Sequence, residues 1–295
     1  MEYFSHFVPL ICGVRQGSIL SPLLFAVYVD NILCRLHSLN AGCHINFVNF
    51  NSLMYADDLL LLALSLRDLQ IMVNACSEEL VKIDMKPNAK KSACLRIGDR
   101  YNVKLADILI DQLPITWLHE LQYLGLVLCS GKKLKYDFHA KKAKYFGAVN
   151  SVLGKIGVSN NASLVLSIMV TKCSPILQYN LEAITMSKES SSHLCFVSNA
   201  IYEKIFNTFD KSIIAECQWQ FGHLPLSFEL DLKRMNFLHK LLLVEHSPAH
   251  LMLKLVASDE LPVLCNKYGI QIDSGCTKRK EAVWNAFCLQ KKFKQ

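Results

Sequence analysis

The spacing of apolar and polar positions changes several times along the chain, and each change marks an element. From Ser21 to Leu36 the residues Leu24, Val27, Tyr28, Ile32 and Leu36 recur at helical spacing, which predicts a helix with that stripe as its core face. Ser21 followed by Pro22 reads as its N-cap and first helical residue. Phe47 to Ala63 has a different logic: two short apolar runs flank Tyr55-Ala56-Asp57-Asp58, and Leu59 to Leu62 are too few for a buried helix. This predicts a β-hairpin turning at those four residues, with Gly42 opening the chain into it. Helical spacing returns from Arg67 to about Asp84, burying Leu69, Met72, Val73, Cys76, Leu80 and Ile83. Ser65 and Asp68 resemble a capping box at its start, and Pro87 is expected to end it.

Ala93–Ile97, Ile115–Trp117 and Leu121–Leu128 read as strands, the last folded at Tyr123-Leu124-Gly125. A turn at Ser130-Gly131 leads to a helix opening at Lys141, with Tyr145, Phe146, Val149, Val152 and Leu153 inward. Beyond Phe138 the pattern is almost wholly helical, with breaks expected at Pro175, Ser187, Pro225, Pro248 and Pro262. At the other end, Met1 to Cys12 has the content of a strand leading into the Gly13–Gly17 loop.

A tight turn that fixes and exposes Asp57 and Asp58 suits a divalent metal ion. Ordinary solvated turn aspartates would give the same pattern. Length and composition narrow the setting: 295 residues, 52% hydrophobic and 19% charged, describe a globular chain of about two domains. The most apolar later window, Leu164 to Ile184, is broken by Lys172, Pro175 and Glu182, so packed helices and no membrane span are expected. Met1 is followed by Glu2 and not by a secretory pattern, so an intracellular setting, cytoplasm and/or nucleus, is expected. None of the 12 cysteines falls in a Cys-x-x-Cys pair, and Cys265, Cys276 and Cys288 fit no zinc spacing. They read as small buried hydrophobes.

The formal charge of +7 is confined to one segment. Lys82 to Lys144 holds 13 Lys/Arg against 6 Asp/Glu, and the rest of the chain holds 19 against 19. Such a cluster suits a phosphate-lined track, and a merely solvated face has the same charge.

One more segment changes the weighting. Gly13-Val14-Arg15-Gln16-Gly17, then Leu20-Ser21-Pro22-Leu23-Leu24-Phe25, precede Tyr55-Ala56-Asp57-Asp58, with Asn88…Lys91-Ser92 and Tyr123-Leu124-Gly125 beyond. In this order they resemble the reverse-transcriptase palm of non-LTR (LINE-type) retrotransposons, nearest the jockey-like group. The resemblance is strong from about Phe7 to Ile156, with thumb-like matches to about Phe209. It implies an α+β fold: a partial polymerase palm at 1–136 (an antiparallel sheet with helices on one face), a helical thumb at 137–209 and a helical extension at 210–295. It implies RNA-directed DNA synthesis on an RNA template and DNA primer, with two Mg²⁺ (or Mn²⁺) ions held by Asp57, helped by Asp58. Arg15, Gln16 and Gly17 would lie by the template base and incoming nucleotide, together with Tyr55, Ala56 and Lys91. Tyr123, Leu124 and Gly125 would form the primer grip, and Lys141, Lys142 and Lys144 would touch duplex phosphates. Bland roles remain open beside these: a loop-bracing amide for Gln16, a surface lysine for Lys91, a plain strand aromatic for Tyr123. Lys278-Arg279-Lys280 and Lys291 to Lys294 read as nucleic-acid contacts or solvated helix ends.

The sequence departs from the family pattern as well. Asn31 stands where an acid is usual, Asn180 where Gly is usual, and Pro87 and Ala89 replace an apolar residue and a proline. The family's other metal-binding aspartate lies well before the Gly-x-Arg-Gln-Gly loop, and here the 12 residues before Gly13 contain one acid, Glu2. The expectation is a truncated polymerase lacking the fingers and that carboxylate, inactive alone and without an endonuclease or Cys/His knuckle. The alternatives are a non-catalytic nucleic-acid-binding module, or an enzyme completed by a separate chain carrying the missing N-terminal half.

Overall fold

The computed structural model describes residues 17–45, 48–157, 161–244 and 250–292. They fall into two compact units, one comprising the residues up to His119 with Ser130–Lys133, the other Glu120–Cys129 and everything from Leu134 onward.

The first unit opens with α1 (Ser21–Ser38), then β1 (His44–Ile45), β2 (Val48–Asn49), β3 (Ser52–Tyr55), β4 (Asp58–Leu61) and α2 (Leu66–Lys82). After α2 come β5 (Ala93–Leu95), the pair β6 (Leu109–Ile110) and β7 (Leu113–Pro114), and β8 (Thr116–Leu118). The core joins Val29, Ile32 and Leu36 of α1 to Met72, Ala75 and Cys76 of α2, with Met54, Leu59 and Leu61 of the hairpin packed against it. Each Val, Leu, Ile or Met among them contributes about 1.5–3 kcal/mol when fully buried. The predicted stripe on α1 is half right. Ile32 and Leu36 are buried, while Leu24, Val27 and Tyr28 are more than half exposed, as are Leu20 and Leu23. The N-terminal half of α1 is apolar all round, so periodicity cannot choose a face; packing on α2 and β3 selects Val29 instead. Its N-cap is Leu20, one residue before the predicted Ser21.

In α2 the Ser65 hydroxyl does cap, accepting from the Asp68 N–H at 3.0 Å. The helix stops before Pro87. Asp84 turns left-handed at φ +55°, and the Met85 and Asp84 N–H groups donate back to the Leu80 and Val81 carbonyls. This is a Schellman end with Asp where glycine is usual. Strands β5 and β8 pair in parallel, whereas the other pairs are antiparallel. Among the described residues the strands form small sheets of two or three, not one continuous sheet.

The second unit begins with an antiparallel sheet in the order β11-β10-β9, made of β9 (Glu120–Tyr123), β10 (Leu126–Cys129) and β11 (Lys135–Asp137). Helices α3 (His139–Ile156), α4 (Ala162–Lys172), α5 (Ser174–Gln178), a 3-10 turn (Leu181–Ala183) and α6 (Lys188–Phe206) follow. The rest is α7 (Lys211–Gln220), α8 (Leu226–Leu243), α9 (His250–Lys267) and α10 (Cys276–Lys292). Helix and strand together give the α+β character expected, and the described part beyond Phe138 is helical. Ala162–Ala183 is apolar enough to cross a membrane by composition. It folds as three short pieces whose Val165, Leu166, Met169, Cys173, Leu177 and Leu181 enter the main core with Tyr145 and Val149. Ser187 and Pro225 sit at N-caps as breaks should, but α9 runs through Pro262. Leu261 and Cys265, both buried, hold that helix in its core and offset the lost hydrogen bond. Pro248 lies outside the described residues.

Candidate nucleic-acid and metal site

The aspartate hairpin forms as the pattern predicts. Tyr55 pairs with Asp58, Met54 with Leu59, and Ala56-Asp57 make a two-residue turn. Ala56 has φ +52°, a conformation that costs a non-glycine residue about 1–2 kcal/mol. The side chains of Asp57 and Asp58 are exposed, and their carboxylates make no hydrogen bond or ion pair with another described residue.

What holds the hairpin is a residue the sequence did not flag. Asn51 is fully buried, and its Nδ2 donates to the Leu36 carbonyl at 2.7 Å and the Ala41 carbonyl at 3.2 Å. Its Oδ1 accepts from the Ser52 hydroxyl, and its N–H donates to Asn49 Oδ1. The base of the hairpin is thereby tied to the C-terminal end of α1. Gly42 makes the close approach possible: at φ +101°, a Cβ there would lie 2.3 Å from the Asn51 Cβ.

Lys91 is exposed on a turn organised by Asn88, whose Oδ1 accepts from the N–H groups of Lys90 and Lys91. The Ser92 hydroxyl donates to the Asn88 carbonyl at 2.9 Å. The Asn…Lys-Ser element is therefore a self-contained side-chain-capped turn. Gly17 is exposed with φ +81°; Arg15 and Gln16 lie outside the described residues.

In the second unit the structure gathers another group. Strands β9 and β10 turn at Leu124-Gly125, both at positive φ (45° and 81°), the geometry of a tight hairpin. A Cβ on Gly125 would lie 2.9 Å from the Tyr179 ring. Asn180, itself left-handed at φ +61°, donates from Nδ2 to the Leu124 carbonyl at 2.8 Å. Asn180 thus holds a left-handed conformation that favours glycine, and its side chain adds a bond to the turn. Lys141 joins this cluster, its Nζ 2.5 Å from the Tyr179 carbonyl and 5.9 Å from the Tyr179 ring centre. Burial lowers the Lys141 pKa, and Glu182 opposes the shift. Lys142 is half-buried and Lys144 exposed.

Among the described residues no three His, Cys, Asp or Glu side chains come together as a metal cluster. Asp57 and Asp58 offer carboxylate oxygens of the right hardness for Mg²⁺, but two carboxylates are part of a two-ion donor set and not the whole. The cysteines are mostly packing groups: Cys76 and Cys94 are buried, their thiols pushed up to about 12 and about 11. Among the described residues Cys34 and Cys276 are the exposed exceptions.

Residues 3–128 match the family described as reverse transcriptase (RNA-dependent DNA polymerase). This stretch is similar to a reverse-transcriptase domain. The chain is 30% identical over 149 residues to the Pol polyprotein of a type-1 retrotransposable element R2 from Nasonia vitripennis, 50% of this chain and 13% of that protein. It is 36% identical over 86 residues to the Pol polyprotein of type-2 retrotransposable element R2DM from Drosophila melanogaster, 29% of this chain and 8% of that protein. The chain therefore spans a small part of either relative. Both names are those of R2 elements, so the comparison carries the non-LTR type and not a jockey-like subgroup. Within the matched stretch fall the aspartate hairpin, the Asn88–Ser92 turn and the Tyr123–Gly125 hairpin; Lys141, Lys142 and Lys144 lie beyond it.

Proposed function

We propose that this chain is part of an RNA-directed DNA polymerase of a non-LTR retrotransposon, acting on an RNA template and a DNA primer. The observation that carries the reading is the Ala56-Asp57 hairpin turn, which presents two exposed carboxylates inside a reverse-transcriptase match. In this reading 1–136 serves as palm, 137–209 as thumb and 210–295 as a helical extension, and the protein works in the cytoplasm and/or nucleus.

Asp57, helped by Asp58, is the metal-binding and catalytic pair. They would hold divalent metal ions, whose chemistry when bound would be activation of the primer 3′-oxygen and charge stabilisation at the leaving oxygen. The residues themselves do the positioning. Tyr55, Ala56, Gly17, Arg15 and Gln16 border the nucleotide and template, and Lys91 offsets charge on the leaving phosphate. The Tyr123–Gly125 hairpin steadies the primer end. Lys142 and Lys144 face duplex phosphates, and Lys141, half-buried with its ammonium on the Tyr179 carbonyl, serves chiefly to brace that turn.

With two carboxylates gathered, residues 1–295 by themselves are expected to bind Mg²⁺ weakly and to give no detectable primer extension. Positioning supplies most of phosphoryl-transfer catalysis, so an incomplete donor set loses orders of magnitude. Fusing the polymerase segment that precedes this stretch in a relative should restore extension, and Asp57→Ala should abolish it. Extension by the purified unfused chain that survives Asp57→Ala would overturn the assignment. The second reading is a nucleic-acid-binding module without catalysis, favoured by the basic excess at Lys82–Lys144. It predicts Mg²⁺-independent binding and no extension from the fused protein.

A further inference from the structure

Outside the aspartate hairpin, the first unit holds a cavity of about 520 Å³ on the parallel pair β5–β8 and the loop that crosses it. That volume lies in the roughly 300–1,000 Å³ range of small-ligand clefts. Its walls include Arg96, Tyr101, Lys104, Asp107, Trp117 and His119. Two cations and three aromatic rings around one cleft make an uncommon set, and the structure shows how it is fixed.

Arg96 follows directly after β5. Its carbonyl accepts from the Ser130 hydroxyl at 2.6 Å, and its Nη1 donates to the Val103 carbonyl at 3.1 Å. Trp117, in register with Cys94 across the parallel pair, donates from Nε1 to the Ala106 carbonyl at 3.3 Å. The 99–107 loop is thus clamped at two carbonyls by side chains that also line the cleft. The rings of Tyr101 and Trp117 are half-buried, while Lys104 is exposed. Among the described residues neither Arg96 nor Lys104 has an acidic partner at ion-pair distance. Both positive charges are therefore available to a ligand.

We propose that this cleft takes one unpaired nucleotide of a single-stranded nucleic acid, with the base against Tyr101 and Trp117 and its phosphate beside Arg96 and Lys104. Aromatic faces with interleaved cations are the general means of holding single strands, since every base has a π-face. A duplex shows only base edges and cannot put a ring into such a cleft. An acidic peptide would satisfy Arg96 and Lys104 but leave the aromatic walls unused, and Asp107 would oppose it. The proposal rests on the reading that the chain handles nucleic acid, and it adds a subsite remote in sequence from Asp57 and from Lys141.

The test measures binding of the full chain to fluorescein-labelled dT₁₂ and to a 12-base-pair hairpin duplex, by anisotropy at fixed salt. Tyr101→Leu keeps bulk and removes the ring; it should weaken dT₁₂ binding about five-fold or more, the usual worth of one stacked base. Duplex binding should stay within two-fold, and Tyr101→Phe should restore dT₁₂ affinity. Arg96→Gln and Lys104→Gln should reduce the salt dependence of dT₁₂ binding and leave that of the duplex unchanged. Equal losses for both probes, no loss for either, or displacement of dT₁₂ by a poly-glutamate peptide as readily as by unlabelled dT₁₂ would overturn the subsite. If wild-type duplex binding is intact while Tyr101→Leu does nothing, the subsite fails and the polymerase reading stands. Absence of binding to both probes removes both.

Discussion

Asn51 shows how much of the candidate site depends on a side chain that touches no substrate. It makes hydrogen bonds to two backbone carbonyls and to the Ser52 hydroxyl without contact with water. Asn51→Leu would keep the volume and strand the Ala41 carbonyl and the buried Ser52 hydroxyl, while the Leu36 carbonyl keeps the Leu39 N–H, at about 1–3 kcal/mol for each buried group left unpaired. The expected result is a loss of about 2–4 kcal/mol in urea unfolding, read by a probe in the first unit. Ala56 predicts the opposite sign. Ala56→Gly relieves a left-handed alanine at φ +52° and adds backbone entropy to the unfolded chain, for a net gain of about 0.5 kcal/mol. A small upward shift in midpoint is expected, and a decrease would mean that the turn is not strained. Asp57 and Asp58 were legible because an acidic pair between apolar runs breaks the pattern. Asn51 was not, because one amide leading into a strand looks like any loop residue until its carbonyl partners are known.

At the level of elements, the strand-turn-strand at Asp57 and the helices α2 and α3 could be read from spacing alone. The exposed face of α1 could not, since apolar residues surround its first half and only the neighbouring elements decide which are covered. The Tyr123–Gly125 hairpin was readable as strands, but its docking on Tyr179 and Asn180 joins residues 56 positions apart and leaves no local trace. That docking changes an expectation about α3. Lys142→Ala with Lys144→Ala should lower the salt slope of duplex binding by about one to two units, at nearly one per phosphate lost. Adding Lys141→Ala should change the slope little and destabilise the second unit instead. A further full unit lost with Lys141 would return it to the phosphate contacts. The helices also carry a pH signature. His223 is held below its ordinary pKa by burial and shares a 2.9 Å hydrogen bond with the Tyr202 hydroxyl. Below about pH 6.5 the unfolded chain takes up a proton that folded His223 resists, so stability falls as pH drops through that value. His239 shifts the same way by burial and Arg279. His223→Gln should reduce the difference in thermal midpoint between pH 7 and pH 5, and an unchanged difference would assign the effect elsewhere.

For the molecule as a whole, the α+β class and the polymerase resemblance were in the sequence, whereas the grouping of Glu120–Cys129 with the second unit was not. The boundary passes through a run of strands, and strand spacing says nothing about which neighbour a hairpin joins. The C-terminal basic residues gave a different surprise. Arg279 is buried and donates to Asn236, and Lys291 pairs with Glu216 and sits 3.7 Å from the Trp219 ring centre. Charge counted along the sequence would have left both at the surface. The Leu124-Gly125 turn, seated on Tyr179 and tied by Asn180, has a consequence for the timing of opening events. Amide protons of β9 and β10 should exchange with solvent only as fast as the α3–α5 helices open, and not in step with those of the Asp57 hairpin. Deuterium uptake resolved by peptide should therefore sort Glu120–Cys129 with Tyr145 and Leu177, so that two hairpins of similar length keep different clocks.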